Sequence, residues 1–253
     1  MTENATAEPL FMIQLQPDPV RAGLWIAGEG LSKRGADDGY GWHALLKAAF
    51  GELAPQPFRI IDHPRKPPQL LGYTRANLST LRDHAETFAE PAVAAALGLD
   101  SLAAKRMPDC FATDQRLGFE VRVRPTIRQH LADDRTRNRE RDVFLAAAEK
   151  AGPRATRTGL DRATVYAEWL GGRLGAYGAR LIEARPLALR RTRVSRRNGK
   201  RELVGDIEGP DAVFEGILKV TCPDAFRRLL GRGVGRHRAF GFGMLLLRPA
   251  PSE

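Results

Sequence analysis

Residues 117 to 124 read Leu117-Gly-Phe-Glu-Val-Arg-Val-Arg124 and stop at Pro125. Apolar and polar positions alternate strictly, which is the period of a half-buried strand, and the proline ends it. Working back from this stretch, Leu10–Gln16 is a short strand-like run behind a polar tail, and Trp42–Phe50 has helical spacing before Gly51. Phe58–Ile61 and Gln69–Tyr73 read as strands on either side of the turn Pro64–Pro68. Asn77 is placed to cap a helix over Leu78–Phe88, and an alanine-rich helix follows near Pro91–Leu97. With Leu117–Arg124 as its last strand, the order is βαββαβ.

Working forward, Thr126–Arg139 is basic and loop-like, and a helix is expected over Glu140–Ala151 with Val143, Phe144 and Ala147 inward. Another spans Thr164–Leu174, with Trp169 and Leu170 on its apolar face. Gly178–Val194 and Arg201–Ile207 read as arms of a long hairpin turned at Asn198-Gly199, a dipeptide suited to positive φ. Val213–Val220, a helix over Pro223–Leu230 and a last strand over Phe240–Leu247 complete a second βαββαβ order. The expected fold is α+β, with tandem ferredoxin-like (RRM-like) units built on antiparallel sheets. The expected division is a tail over 1–9, an N-terminal domain over 10–130 and a C-terminal domain over 131–253.

Of the 253 residues 43% are apolar, enough for a real core, and no run of 18 apolar residues is present to span a bilayer. The opening MTENATAEPL lacks a basic start and an apolar segment, so a cytoplasmic protein without a membrane partner is expected. Cys110 and Cys222 lie far apart and outside any metal-ligand spacing, so buried, reduced thiols are expected and neither disulfide nor zinc. The net charge is +10, and 33 of the 40 basic residues are Arg. Codon bias alone can raise arginine content, yet a planar guanidinium suits phosphates and the charge points to a polyanionic partner.

The charge is concentrated. RRTRVSRRNGKR over Arg190–Arg201 and RRLLGRGVGRHR over Arg227–Arg238 contain no acid. Each can be a solvated face, but two in one half of the chain argue for a shared surface. The second runs into Gly231-Arg-Gly-Val-Gly-Arg-His-Arg-Ala-Phe-Gly-Phe-Gly243, where glycines admit a close backbone approach and arginines neutralise phosphate. It has neither the spacing of a P-loop nor the strand that precedes a dinucleotide fingerprint. A packing turn is the plain alternative.

That loop, the Met-Leu-Leu-Leu after it and Phe214-Glu-Gly216 upstream resemble the C-terminal signature of CRISPR repeat-processing endoribonucleases. Within them the chain is most similar to the CasE-type subunit of the type I-E Cascade complex. Tyr40, His43, the strand Gly118–Arg124 and the helix carrying Val165–Leu170 add to the resemblance. It implies two ferredoxin-like domains, metal-independent cleavage within the repeats of precursor CRISPR RNA, and retention of the mature guide RNA alongside other subunits of a Cascade-like complex. It implies His43 as the catalytic histidine, Tyr40 as its partner and Gly231–Gly243 as the RNA loop, with no metal and no cofactor.

The residues support a compatible chemistry by themselves. Cleaving RNA without a metal requires the adjacent 2′-hydroxyl to attack phosphorus, leaving a 2′,3′-cyclic phosphate and a 5′-hydroxyl. Imidazole is suited to carry the proton. Tyr40, His43 and Lys47 share one helix face if the helix begins by Tyr40, so an acid or base, an orienting hydroxyl and a charge stabiliser come together. Lys33 or Arg34 can replace Lys47, and His43 can equally be an ordinary surface histidine. Of the other histidines, His63 lies at a strand end, His84 and His130 lack chemical neighbours in sequence, and His237 sits in the loop.

The expected RNA contacts on the hairpin are Arg190, Arg191, Arg193, Arg196, Arg197, Lys200 and Arg201. On the loop they are Arg232, Gly233, Gly235, Arg236, His237, Arg238, Gly241 and Gly243. A non-catalytic RNA stem-loop-binding subunit with a structural His43 is the alternative from another class, and a general nucleic-acid binder a third.

Overall fold

The computed structural model describes residues 8–32, 35–63, 65–131, 134–152, 159–197 and 203–251. The first sheet comprises β1 (Phe11–Leu15), β2 (Phe58–His63), β3 (Lys66–Thr74) and β4 (Ala103–Arg106), antiparallel in the order β2-β3-β1-β4. Its helices are α1 (Pro19–Gly28), α2 (Gly39–Phe50), α3 (Leu78–Phe88) and α4 (Pro91–Leu97). Ile13 and Leu15 alternate inward and meet Leu45, Leu46 and Phe50 of α2 in one buried cluster. The Asn77 carboxamide caps α3 by accepting from the Thr80 amide at 2.9 Å.

The second sheet comprises β5 (Arg116–Val123), β8 (Ala179–Arg197), β9 (Leu203–Val220) and β10 (Leu245–Pro249), in the order β10-β5-β9-β8. Helices α5 (Val143–Ala151), α6 (Arg162–Gly175) and α7 (Pro223–Arg232) belong to this half. In both sheets the first strand of the unit lies between the third and fourth, so the fold is a pair of ferredoxin-like βαββαβ units.

The sequence reading is corrected at several points. Leu117–Arg124 is a strand, but it opens the second unit and does not close the first: β5 pairs with β9 (Phe119 opposite Gly216) and with β10 (Phe119 opposite Leu247). The fourth strand of the first sheet is β4, whose AAKR has too short a span and too little burial to show a period. A division at 130/131 therefore leaves β5 on the opposite side from its sheet, whereas residues 107–115 connect the two sheets. Thr126–Arg139 is no loop: β6 (Thr126–Leu131) and β7 (Asp134–Asp142) form a separate hairpin.

The two segments Arg201–Ile207 and Val213–Val220 belong largely to one long strand, β9, and the glycine-rich loop runs on to Met244 before β10 begins. Cys110 and Cys222 are exposed free thiols, contrary to the expected burial. Cys222 precedes α7, and Cys110 lies in the connection between sheets. Residues 1–7, Lys33, Arg34, Asn198, Gly199, Lys200 and Arg201 lie outside the described residues, as do the side chains of His63, His130, Arg196 and Arg197.

The halves are joined by polar contacts from named strands. The Tyr73 hydroxyl of β3 donates to the Leu245 carbonyl of β10 at 2.9 Å, and Arg59 of β2 donates to Glu120 of β5 at 2.7 Å. Phe119, Val121 and Val123 of β5 are buried in the core of the second unit, so the opposite strand face, with Glu120 and Arg122, is free to reach the first. Among the described residues no helix is long and apolar enough to cross a membrane.

Candidate active site

Helix α2 begins at Gly39, so Tyr40 and His43 lie on successive turns of one face, with ring centroids 6.3 Å apart. Its start is held by Asp37. One Asp37 carboxylate oxygen accepts from the Gly39 amide at 2.9 Å, and the other accepts from Arg122 of β5 at 2.6 Å. The Asp37 amide donates to the Arg193 carbonyl of β8 at 2.7 Å. Arg122 also forms a two-point contact with buried Asp211 of β9, at 2.9 and 2.8 Å, and lies 4.2 Å over the Phe242 ring. Burial would raise the Asp211 carboxyl, but Arg122 and Arg190 outweigh it and hold it below the ordinary value.

The glycine-rich loop closes over the same helix start. A Cβ on Gly39 would collide with the Phe240 carbonyl, and the Phe240 ring lies 5.6 Å from Tyr40 and 5.6 Å from His237. The loop has positive φ at Gly233, Gly235, His237, Gly241 and Gly243. Gly243 is the most constrained: at φ +83 its amide donates to the Arg122 carbonyl at 2.7 Å, and a Cβ would collide with the Val234 carbonyl. These bonds tie the loop to β5, and through Arg122 to Asp37.

The side chains of the loop are already engaged. Arg236 and His237 contact Glu140 of β7 at 2.7 and 2.5 Å, and Arg238 donates to the Arg232 carbonyl at 2.6 Å. Arg232 lies 4.9 Å over the Tyr177 ring. Burial alone would raise the Glu140 carboxyl, but the hydrogen bond from His237 and the charges of His237 and Arg236 hold it below its ordinary range.

On the hairpin, strand pairing places acids opposite the basic run. Arg190 donates to Asp211 at 2.9 Å, Arg191 donates to Glu208 at 2.7 Å, and Arg193 lies 3.7 Å from Glu208. The acid-free stretch read along the chain is thus partly compensated across it, by residues about twenty positions later.

Tyr40, His43 and Lys47 line one cleft of about 550 Å³, shared with Trp25 of α1 and Phe88 of α3. His43 is half-buried, and its Nδ1 is buried without a hydrogen-bond partner among the described residues. Burial first, and the charge of Lys47 second, lower its pKa from 6.5, so the imidazole is neutral at pH 7. No acceptor fixes the proton on Nδ1, which leaves the tautomer open to a substrate. Lys47 itself donates to exposed Glu52 at 2.7 Å. His84, by contrast, packs against Phe88 with ring centroids 4.7 Å apart and the planes tilted by 59°. Asp37, Arg122, Glu140 and Phe240 carry the architecture of this site and are not singled out by sequence spacing.

A family model described as "CRISPR associated protein" matches residues 10–249. A solved structure of CRISPR endoribonuclease Cse3 bound to a 19-nucleotide RNA gives a TM-score of 0.62 at 22% identity, covering 95% of this chain and 100% of that chain. Thermus thermophilus Cse3 bound to an RNA representing a pre-cleavage complex gives 0.63 at 20% identity, with the same coverage. A chain of a CRISPR RNA-guided surveillance complex gives 0.54 at 15% identity, again covering 95% and 100%. At these identities the likeness is one of fold. No curated protein matches the sequence.

Proposed function

The chain belongs to the CRISPR associated protein family, and from that membership we propose that it is an endoribonuclease that cuts precursor CRISPR RNA within repeat stem-loops and remains bound to the mature guide RNA. Its proposed partners are the repeat RNA and the other subunits of a Cascade-like surveillance complex, in a cytoplasmic setting. The observation that carries the reading is the convergence of Tyr40 and His43 with the glycine-rich loop, through the 5.6 Å Tyr40–Phe240 contact, beside the arginine hairpin.

The proposed reaction needs no metal and no cofactor. The 2′-hydroxyl oxygen bonds to phosphorus while the bond to the 5′ oxygen breaks, giving a 2′,3′-cyclic phosphate and a 5′-hydroxyl. His43, in its neutral form, takes the 2′-hydroxyl proton while the Tyr40 hydroxyl supplies one to the departing 5′ oxygen, and the proton on His43 then passes to the Tyr40 oxygen through water, restoring both. Lys47 is available to the phosphate because its partner Glu52 is exposed, and exposed pairs are weak. Arg190, Arg191, Arg193, Arg196, Arg197, Lys200 and Arg201 are proposed to grip the stem. Arg232, Arg236, His237 and Arg238, with the backbone at Gly233, Gly235, Gly241 and Gly243, are proposed to hold the strand at the cut. Contacts that hold the product make turnover slow.

The test is cleavage of the host's own repeat RNA in EDTA at saturating protein, comparing wild type with His43→Ala and mapping both ends. Cyclic-phosphate ends that disappear in the variant while RNA binding persists support the reading. Tight binding without cleavage by either protein moves the assignment to a non-catalytic RNA-binding subunit. Equal cleavage by both removes His43 from the chemistry.

A further inference from the structure

The cleft beside His43 is unlike the rest of the expected RNA surface. Arginine lines the hairpin and the loop, whereas this cleft brings together Trp25 of α1, Phe88 of α3, Glu29 at the end of α1 and Glu90 before α4, next to Tyr40 and His43. Phe88 is 66% exposed, and Trp25 is half-buried with part of its surface on the core of the first unit. Two aromatic side chains from separate helices thus face the same space as the proposed catalytic pair. Glu29 and Glu90 set two carboxylates in this cleft, in a chain whose net charge is +10. Lys47 in the same lining is left for the phosphate at His43, while the carboxylates accept hydrogen bonds from amino groups and the aromatic faces accept flat rings, which together describe an unpaired nucleobase.

We propose that this cleft is a nucleobase site, which takes an unpaired base adjoining the scissile phosphate with its face on Trp25 and Phe88 and its amino edge toward Glu29 and Glu90. The inference rests on the ribonuclease reading above, and it deepens that reading by naming a specificity element. A volume of about 550 Å³ lies within the usual range of small-ligand pockets, so one nucleoside fits. Cytosine, adenine and guanine each offer an exocyclic amino group, whereas uracil has none and flanks its single N3–H with two carbonyl oxygens. Base recognition here places the adjoining phosphate at His43, between the cleft and the loop.

The experiment is a binding cycle on repeat RNA carrying a 2′-deoxy sugar at the cut, which cannot be cleaved for want of the attacking hydroxyl. Wild type, Phe88→Ala, Trp25→Leu and Trp25→Phe are each titrated with the intact RNA and with RNA made abasic at each of the two nucleotides flanking the cut. The expected result is that one abasic RNA binds wild type about ten-fold more weakly, that Phe88→Ala and Trp25→Leu lose a similar factor on intact RNA, and that the losses do not multiply when combined. Trp25→Phe retains most of the affinity, and uridine at that position binds wild type more weakly than an amino-bearing base but more tightly than the abasic RNA.

Losses that multiply, or abasic RNAs that bind as well as intact RNA, overturn the proposal. Phe88→Ala removes an exposed side chain, so its reading does not depend on a marginal fold. Wild type that binds intact RNA but fails to cut its all-ribose form sinks the nuclease reading, while the cycle still reports on the cleft. Cleavage with multiplying losses sinks the nucleobase site alone.

Discussion

The Asp37 carboxylate meets the Arg122 guanidinium at 2.6 Å, joining a residue two positions ahead of α2 to the first strand of the second sheet. Asp37 is also bound through its amide to Arg193 of β8 and through its other oxygen to Gly39. The helix that carries Tyr40 and His43 is therefore aimed from the opposite half of the molecule, by β5 and by β8, the second of which carries proposed RNA-binding arginines.

Asp37→Ala is expected to separate aim from grip. Arg122 keeps its two-point contact with Asp211, so no buried charge is orphaned and stability falls by about 1–2 kcal/mol. The start of α2 loses its side-chain hold, and single-turnover cleavage at saturating protein falls by about 10- to 100-fold. The dissociation constant for uncleavable RNA stays nearly unchanged. Equal losses in both measurements would assign Asp37 to RNA binding.

The pH profile of single-turnover cleavage reports on His43. A base acts in its unprotonated form, and burial together with Lys47 lowers the His43 pKa. At sub-saturating protein, where the free protein's groups titrate, the rate should therefore rise from acid to neutral pH with its midpoint below 6.5. Lys47→Gln removes the secondary cause and moves the midpoint upward, toward the ordinary imidazole value. A midpoint above 6.5 in the wild type contradicts the assignment of His43 as base.

Glu208→Gln is expected to strengthen RNA binding. The carboxylate holds Arg191 and neighbours Arg193, so its neutralisation frees Arg193 for phosphate and leaves Arg191 with the longer 3.5 Å contact to Asp142. The dissociation constant should fall a few-fold at low salt. The slope of log K against log salt should steepen by roughly 0.7–0.9 for each added phosphate contact. An unchanged slope would mean that these arginines do not reach the RNA backbone.

Gly243→Ala tests the loop. Its φ of +83 disfavours any side chain, and the Val234 carbonyl occupies the space a methyl group would need. A loss of about 2 kcal/mol or more is expected, read as a fall in Tm of roughly 4–8 °C. Gly152→Ala also lies at positive φ but meets no described residue within 4 Å of its Cβ, so a smaller fall there separates the two causes.

Leu117–Arg124 shows how far the sequence can be read. Its alternation is legible because one face packs on the core of the second unit, but period alone does not say which strand lies alongside. Partners such as Phe214 come some ninety residues later. Helix α1 carries local signals, an Asp18 cap, Pro19 in the first turn and buried Ala22 and Ile26 four apart, yet its inward stripe is too narrow to stand out. Tyr40 and His43 are legible through their three-residue spacing and the family resemblance. Asp37 and Arg122 are not, since only tertiary folding brings an acid ahead of one helix to an arginine in the middle of a distant strand. The compensation of Arg190 and Arg191 by Asp211 and Glu208 is hidden for the same reason, as it arises across a hairpin and not along a run.

The dependence of α2 on the second half has a consequence for the order in which the protein is made. A ribosome finishes every strand of the first sheet at Arg106, but the residues that hold the helix start, Arg122, Arg193 and Phe240, are still to come. At bacterial rates of synthesis that interval is on the order of ten seconds. An emerging chain can thus fold its histidine-bearing half and still lack the contacts that aim α2 until Phe240 has been made.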